Sequence, residues 1–141
     1  MDRRGNPLAA TLTAGQVNEG TQFEAVMAAG GVGRRGPRRR PRRVVGDMGY
    51  SQVHVRRWLR QRRIRAVIPY PCNQTDRSLA PAEGLDRAAY RRRNMVERCV
   101  GWLKAARRIA TRFEKLAVSF LGMLKLAILG RYLRTGFRNR A

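Results

Sequence analysis

The chain has 141 residues, of which 31 are Lys or Arg and nine are Asp or Glu, giving a formal net charge of +22 and a pI near 11.9. Its hydrophobic content of 43% excludes a basic tail that is disordered throughout, so a folded part is expected. Such a charge on a foldable chain indicates a polyanionic partner, with DNA or RNA ahead of acidic lipid, although Arg-rich sequences are also typical of GC-rich genomes.

The cysteines and the apolar runs exclude several other classes. Cys72 and Cys99 share no CxxC spacing, which favours a reduced, cytoplasmic protein over one held by disulfides. The first residues contain no apolar core of a signal peptide. The most apolar run, residues 116–130, is broken by Ser119 and Lys125 and is too short for a membrane span. We therefore expect no membrane partner.

The first part of the chain is predicted to form a turn, a strand and a short helix. Residues 2–7 contain the Gly and Pro of a turn, and apolar residues alternate over residues 8–13 as in a strand. Thr21 is predicted to cap a helix over residues 22–29, which a glycine-rich segment ends. A hairpin turn with no strand before it indicates that the chain begins within a larger fold.

An arginine-rich loop follows over residues 31–43. Residues 34–43 include seven arginines and show no hydrophobic periodicity, which predicts an exposed loop. A solvated linker and a phosphate-contacting arm both fit this composition. The charge of the whole chain favours the arm, with Arg38, Arg39 and Arg40 in contact with DNA phosphates.

The middle of the chain predicts a strand, a helix and a second strand. Residues 44–46 form a short apolar run that ends at Asp47, and Ser51 is predicted to cap a helix to about Arg62. Residues 64–68 read as the second strand, which a Pro-Tyr-Pro segment closes. The helix is predicted to turn its apolar residues inward and its arginines outward, the latter being Arg56, Arg57, Arg60, Arg62 and Arg63.

Two helices are predicted to complete the chain, over residues 86–108 and 113–135. In the first, capped by Asp86, the apolar stripe comprises Met95, Val96, Cys99, Leu103 and Ala106. The helical wheel places Tyr90, Arg93, Glu97 and Lys104 beside that stripe, within roughly 60° of one another. The order strand, helix, strand, helix, helix predicts the α/β class.

Asp47 and Glu97 are the two acids most surrounded by basic and apolar sequence. Carboxylates that meet at the carboxyl edge of a sheet bind Mg²⁺ or Mn²⁺, and such ions serve phosphodiester chemistry. In the alternative interpretation Asp47 is a turn residue and Glu97 a partner in an intrahelical ion pair. Spacing alone favours that alternative.

The spacing Tyr90-x2-Arg93-x3-Glu97-x6-Lys104 resembles, without a gap, the Tyr-Arg-Glu-Lys signature of insertion-sequence DDE transposases. Residues 46–51 (Gly-Asp-Met-Gly-Tyr-Ser) resemble the block that carries the family's second catalytic Asp. Further blocks similar to those of the IS-five type, in the same order, are residues 4–8, 12–16, 63–69, 90–99 and 108–116.

The resemblance implies the C-terminal part of a catalytic domain with a partial RNase H-like fold, a short mixed sheet flanked by helices. Asp47 and Glu97 would be its second and third metal-binding carboxylates, with Mg²⁺ or Mn²⁺ as cofactor. Tyr90, Arg93 and Lys104 would position DNA. The implied reaction is metal-dependent cleavage of DNA at the element ends followed by strand transfer to target DNA.

The sequence also departs from the family pattern. It contains no Ile-Asp-Ser-Thr-like segment with the first catalytic Asp, and Asn18-Glu19 stands where the family usually has His-Asp. We therefore expect the chain to be inactive alone, as a remnant or as the downstream frame of a frameshifted element. The expected partners are DNA, a missing N-terminal transposase part and further copies in a transposition complex near the bacterial nucleoid. The alternative function is a basic nucleic-acid-binding protein without catalysis.

Overall fold

The computed structural model describes residues 1–2, 4–31, 40–74, 76, 78–81, 83–111 and 114–138, with side chains up to residue 134. The chain divides into two compact units, Ala14–Arg93 and Met1–Thr13 with Asn94–Ala141. In the first unit the α-helices are α1 (Phe23–Ala29), α2 (Val53–Gln61) and α3 (Arg87–Arg91), and the strands are β1 (Arg43–Val45) and β2 (Arg65–Val67). In the second unit the α-helices are α4 (Asn94–Ala105), α5 (Arg107–Ala110) and α6 (Ala117–Arg138).

The first unit is built on a parallel strand–helix–strand motif. Strands β1 and β2 pair in parallel with Val44 opposite Ala66, and α2 provides the crossover between them. Parallel neighbours require such a crossover, so the order of elements fixes the motif once both strands form. The α/β class is confirmed, although the described residues show a two-stranded parallel sheet in place of the expected mixed sheet.

The core of this unit lies between α1, α2 and the sheet. Its buried members are Phe23, Val55, Trp58, Leu59, Ile64 and Ile68. The ring of Phe23 meets that of Trp58 edge to face at 5.4 Å between centroids, the arrangement that aromatic quadrupoles favour. The inward positions predicted for α2 are therefore confirmed at Val55, Trp58 and Leu59, whereas Val53 at the start of the helix is exposed.

Two ion pairs connect the beginning of the sheet to the segment that leads into α3. Arg43 of β1 lies 3.3 Å from Asp86, and Arg65 of β2 lies 2.9 Å from Glu83. Asp86 also caps α3, as predicted, because its Oδ1 accepts a hydrogen bond of 2.8 Å from the backbone N–H of Ala89.

The second unit contains the three C-terminal helices and the N-terminal turn. The Asp2 carboxylate accepts hydrogen bonds from the backbone N–H groups of Arg4 and Asn6, and Gly5 has a φ of +78°, so the predicted turn is confirmed. The hydroxyl of Tyr132 on α6 donates a hydrogen bond of 2.8 Å to the carbonyl of Pro7, which attaches the end of this turn to α6. No helix in the described residues is sufficiently long and apolar to cross a membrane.

Several sequence predictions are wrong in detail. Residues 8–13 form no strand. No described strand lies beside them, and an extended segment without a neighbouring strand gains no hydrogen bonds of a sheet. The Thr21 side chain does not cap α1. Instead, the Asn18 side chain caps the short 3₁₀ helix Glu19–Gln22 that precedes α1. Arg56, expected to face outward, is buried with 3% of its surface exposed.

The single helix expected over residues 86–108 is three helices. The backbone N–H groups of Arg92 and Arg93 bond to carbonyls three residues back, at Ala89 and Tyr90, so the chain tightens there and α3 ends before α4 begins. A second break at Ala106 separates α4 from α5. The C-terminal helix is confirmed as α6, which begins four residues later than expected.

The apolar stripe predicted along residues 95–106 is buried only in part. Cys99 is buried, while Met95 and Leu103 are half-buried. Val96 and Ala106 are exposed, Ala106 because it lies at the break between α4 and α5.

Candidate functional site

Asp47 lies at the carboxyl edge of the parallel sheet. After β1, the N–H of Gly46 still donates to the carbonyl of Val67 on β2 at 3.2 Å, and Asp47 follows at once. Its Oδ1 then accepts a hydrogen bond of 3.0 Å from the N–H of Gly49, which caps the 3₁₀ helix Met48–Tyr50. Asp47 is half-buried, and among the described residues the hydrogen bond to its carboxylate comes from the N–H of Gly49 to Oδ1, so that Oδ2 can still accept. The carboxyl edge of a parallel sheet is where ligands of open α/β folds bind.

The capping contact also supports the simpler interpretation of Asp47 as a turn residue. Capping and metal binding are compatible, since one oxygen can accept the N–H while the other remains available. Asp47 therefore lies at the carboxyl edge of the sheet and has a local structural role there, as the cap of the 3₁₀ helix.

Glu19 is an acid that the sequence predictions did not place at this edge. The ideal position of a Cβ on Gly49 would lie 3.2 Å from Asp47 Oδ1 and 3.4 Å from Glu19 Oε2, so both carboxylates border the same small space. Burial, followed by the charges of Glu19 and Asp47, raises the pKa of the nearby Tyr50 phenol above its usual value of 10.0. The sequence signal for Glu19 was its place in the Asn18-Glu19 pair, at the family's usual His-Asp position.

The segment that carries Glu19 is fixed on the N-terminal end of α2. The Asn18 side chain accepts hydrogen bonds from the N–H of Gly20 at 2.9 Å and from Nε2 of Gln52 at 2.7 Å. Nε2 of His54 lies 3.1 Å from the Gly20 carbonyl oxygen. A Cβ on Gly20 would clash with the amide end of Gln52, so a larger residue there would force the Gln52 side chain to move away from Asn18. The close contact brings Glu19 next to the Asp47 turn.

The four residues of the spaced signature fall into two pairs. Tyr90 and Arg93 lie in the first unit, where the Arg93 guanidinium is 5.8 Å from the centre of the Tyr90 ring. Glu97 and Lys104 lie on α4 in the second unit, and both are exposed. Being seven residues apart, they occupy one face of α4 about 10.5 Å apart along its axis. The expectation that one helix carries all four residues is wrong, because α3 ends at Arg91 and α4 begins at Asn94.

The arginine-rich loop is described only at its ends. Arg38 and Arg39 lie outside the described residues, and Arg40 is exposed. Arg43, expected to end the loop, begins β1.

The oxygen donors at the carboxyl edge suit a hard divalent ion in kind. Mg²⁺ is usually bound in proteins by one or two carboxylates together with waters and substrate phosphates, and Asp47 offers one such oxygen. Within the described ranges, no group of three or more His, Cys, Asp or Glu side chains is placed to hold a metal ion. The residues present could therefore provide only some of the ligands of a divalent ion.

Comparison with known proteins agrees with the resemblance carried by the motifs. A family model described as a transposase DDE domain matches residues 1–129. A putative transposase for insertion sequence element IS402 from Burkholderia cepacia is 37% identical over an alignment of 129 residues that covers 89% of this chain. The chain spans only 56% of the length of that relative. No solved structure matches. Because the family model covers most of the sequence, including the Asp47 and Glu97 segments, the chain belongs to the transposases with a DDE domain.

Proposed function

We propose that this chain provides the Asp47 and Glu97 carboxylates of an insertion-sequence transposase, which cleaves DNA at the element ends and transfers the strands to target DNA. The observation that carries the proposal is the position of Asp47, directly after β1 at the carboxyl edge of a parallel sheet. In this proposal residues 1–141 are the C-terminal portion of an RNase H-like catalytic domain, and the βαβ motif is part of its sheet.

Asp47 and Glu97 would hold the divalent ion, Mg²⁺ or Mn²⁺. When bound, such an ion lowers the pKa of attacking water and offsets charge on the phosphodiester. Asp47 supports this role because its turn is fixed on one side by the cap to Gly49 and on the other by the strand. Glu97 supports it by its exposed position on α4 and by its place in the spaced signature.

The basic residues of the signature would bind DNA. The contact of Arg93 with the Tyr90 ring restricts the guanidinium, so less conformational entropy is lost when it meets a phosphate. Lys104 shares the exposed face of α4 with Glu97 and would contact DNA beside the metal. Arg38, Arg39 and Arg40 would add non-specific phosphate contacts.

Strand cleavage would require a further aspartate. The 141 residues contain no Ile-Asp-Ser-Thr-like segment, and Asp2 is committed to its own turn through the N–H groups of Arg4 and Asn6. We therefore expect these residues alone to bind DNA without cleaving it, and to support cleavage only when such a segment is supplied.

A basic nucleic-acid-binding protein without catalysis is the second candidate. It is favoured by the net charge of +22 and by the absence, within the part of the chain that the structure describes, of three metal-ligating groups together. Both candidates bind DNA, so only metal binding and strand cleavage separate them.

The first test measures binding of Mn²⁺ to the chain, using electron paramagnetic resonance to distinguish the free ion from the bound ion. We expect Asp47→Asn and Glu97→Gln each to reduce binding, whereas Glu114→Gln, outside the proposed site, should not. Equal binding by all four proteins would contradict the proposed metal role and favour the second candidate.

The second test is cleavage of an element end by the chain fused to the preceding part of the IS402 relative. We expect Asp47→Asn and Glu97→Gln to abolish cleavage while the affinity for DNA stays within about threefold of the parent. Lys104→Ala should weaken binding to the element end and leave Mn²⁺ binding intact. Cleavage by either carboxylate variant would overturn the assignment.

A further inference from the structure

Arg56 on α2 is a buried cation within a helix whose other arginines, Arg57 and Arg60, are exposed. Only 3% of its surface is exposed. Its Nε donates to the carbonyl of Ser51 at 3.2 Å, and its Nη2 donates to the carbonyls of Ile68 and Pro69, each at 3.0 Å. Nη2 also lies 3.2 Å from Ser51 Oγ, and the guanidinium carbon is 3.6 Å from the centre of the Tyr70 ring.

These partners belong to the two segments that leave the carboxyl ends of the strands. Ser51 ends the 3₁₀ helix that Asp47 begins, and its own N–H donates to the carbonyl of Met48 at 3.0 Å. Ile68 and Pro69 follow β2 directly. One guanidinium therefore joins the Asp47 turn to the exit of β2.

Burial of the Arg56 guanidinium without a counter-ion costs free energy. Among the described residues Arg56 has only carbonyl and hydroxyl oxygens and one ring as partners, with no carboxylate, and its Nη1 lacks a hydrogen-bond partner. Removing a cation from water without a counter-ion is unfavourable, and the same burial lowers the pKa of the guanidinium. An apolar side chain would avoid that cost, but it could not join the two segments.

We propose that Arg56 is a positioning residue for the reaction: its guanidinium fixes the Asp47 turn against the exit of β2 and so presents the Asp47 carboxylate to the metal. The inference rests on the proposed function of Asp47. Arginine suits the task because its planar fork reaches several acceptors at fixed angles, whereas a Lys ammonium is a single point of contact.

The primary test is hydrogen exchange of the chain by NMR, comparing Arg56→Lys with the parent. We expect the Ser51 amide, which belongs to the Asp47 turn, to exchange at least about tenfold faster. The Ile64 amide, bonded to the Leu59 carbonyl at 2.9 Å in the core of the same unit, should change less than about twofold. Arg60→Lys, at an exposed position of α2, is the matched control and should change neither amide.

Mn²⁺ binding gives the second readout. Residues that orient a metal ligand typically alter metal affinity by about 10- to 100-fold, and we expect Arg56→Lys to weaken binding within that range. Asp47→Asn is measured in parallel. If Asp47→Asn leaves Mn²⁺ binding unchanged, the proposed function fails, and the role of Arg56 toward the metal fails with it.

The role of Arg56 would be overturned alone by either of two results. One is faster exchange of the Ser51 and Ile64 amides by the same factor, which indicates general destabilisation or an unfolded variant. The other is unchanged Mn²⁺ binding in Arg56→Lys when Asp47→Asn abolishes it. Ser51→Ala, which removes the hydroxyl contact with Arg56 and the hydrogen bond of 3.0 Å from Ser51 Oγ to Gln74 Oε1, serves if the lysine variant does not fold. It should speed exchange of residue 51 selectively, whereas Gln74→Ala, which removes only the second of these contacts, should not. Uniform or absent change in Ser51→Ala, or equal change in Gln74→Ala, would again refute the role.

Discussion

Truncation of Leu59 to alanine tests whether the small core of the first unit supports the Asp47 edge. Leu59 is fully buried, with 0% of its surface exposed. Loss of its transfer free energy together with the cavity left behind costs about 2–5 kcal/mol. A unit of this size is stable by roughly 4–12 kcal/mol, at about 0.05–0.15 kcal/mol per residue, so the change removes a large share of the total. We expect Leu59→Ala to unfold the unit at a much lower urea concentration.

The two tryptophans make this measurement specific. Trp58 lies in the core of the first unit and Trp102 on α4 in the second, so a Trp102→Phe background leaves one fluorophore that reports on the first unit. Leu85→Ala is the matched control, because Leu85 belongs to the same unit but is 37% exposed. We expect the control to cost about 1 kcal/mol or less. A loss below about 1 kcal/mol for Leu59→Ala, or one equal to that of Leu85→Ala, would refute the assignment of the core.

Three further predictions concern the edge and its supports. Asp86→Ala removes the cap of α3 and an ion pair, and should lower the free energy of urea unfolding by about 0.5–2 kcal/mol. Gly49→Ala places a methyl group between Asp47 and Glu19, and should reduce Mn²⁺ binding while the midpoint of thermal unfolding stays nearly unchanged. Since the folded state raises the pKa of Tyr50, its contribution is complete below pH 10 and is lost as the pH rises further, so Tyr50→Phe should flatten the fall of stability above about pH 10.

Each of these predictions has a matched comparison. Asp86→Asn retains a capping oxygen and loses only the charge, so it should cost less than the alanine variant. Gly15→Ala has no neighbouring atom within 4 Å of the added carbon and should leave Mn²⁺ binding intact. For Tyr50 the comparison is the parent protein, whose stability should fall more steeply above about pH 10 than that of Tyr50→Phe. Equal behaviour of variant and comparison would contradict the corresponding prediction.

The strand–helix–strand motif could be read from the sequence because short-range signals agree there. An apolar triplet is followed by Asp47 and a glycine turn, and α2 repeats its apolar residues at helical spacing. The position of the candidate carboxylate follows from that order alone. Glu19 could not be placed, because its approach depends on the packing of Gly20 against Gln52, a contact between segments far apart in the chain.

Arg56 and the break after α3 show why polarity and propensity were insufficient. Arg56 lies about 60° from Leu59 on the helical wheel, at the edge of the buried face, and only the carbonyls after β2 decide that it turns inward. Residues 91–93 are three arginines, which favour helix and contain no Pro or Gly, so no local signal marks the break. There, packing within the units outweighs propensity.

The pairing of Arg43 with Arg65 across the sheet has a consequence for any measurement of DNA binding. These neighbouring cations each meet an acid from residues 83–86, so two ion pairs contribute to holding the segment that starts α3 against the strands. Such partly exposed pairs weaken as salt rises, over the same range in which bound phosphates are displaced. The slope of DNA affinity against salt concentration therefore combines loosening of the protein with release of counterions. If the whole slope is assigned to counterion release, the number of phosphates that the protein contacts is overestimated.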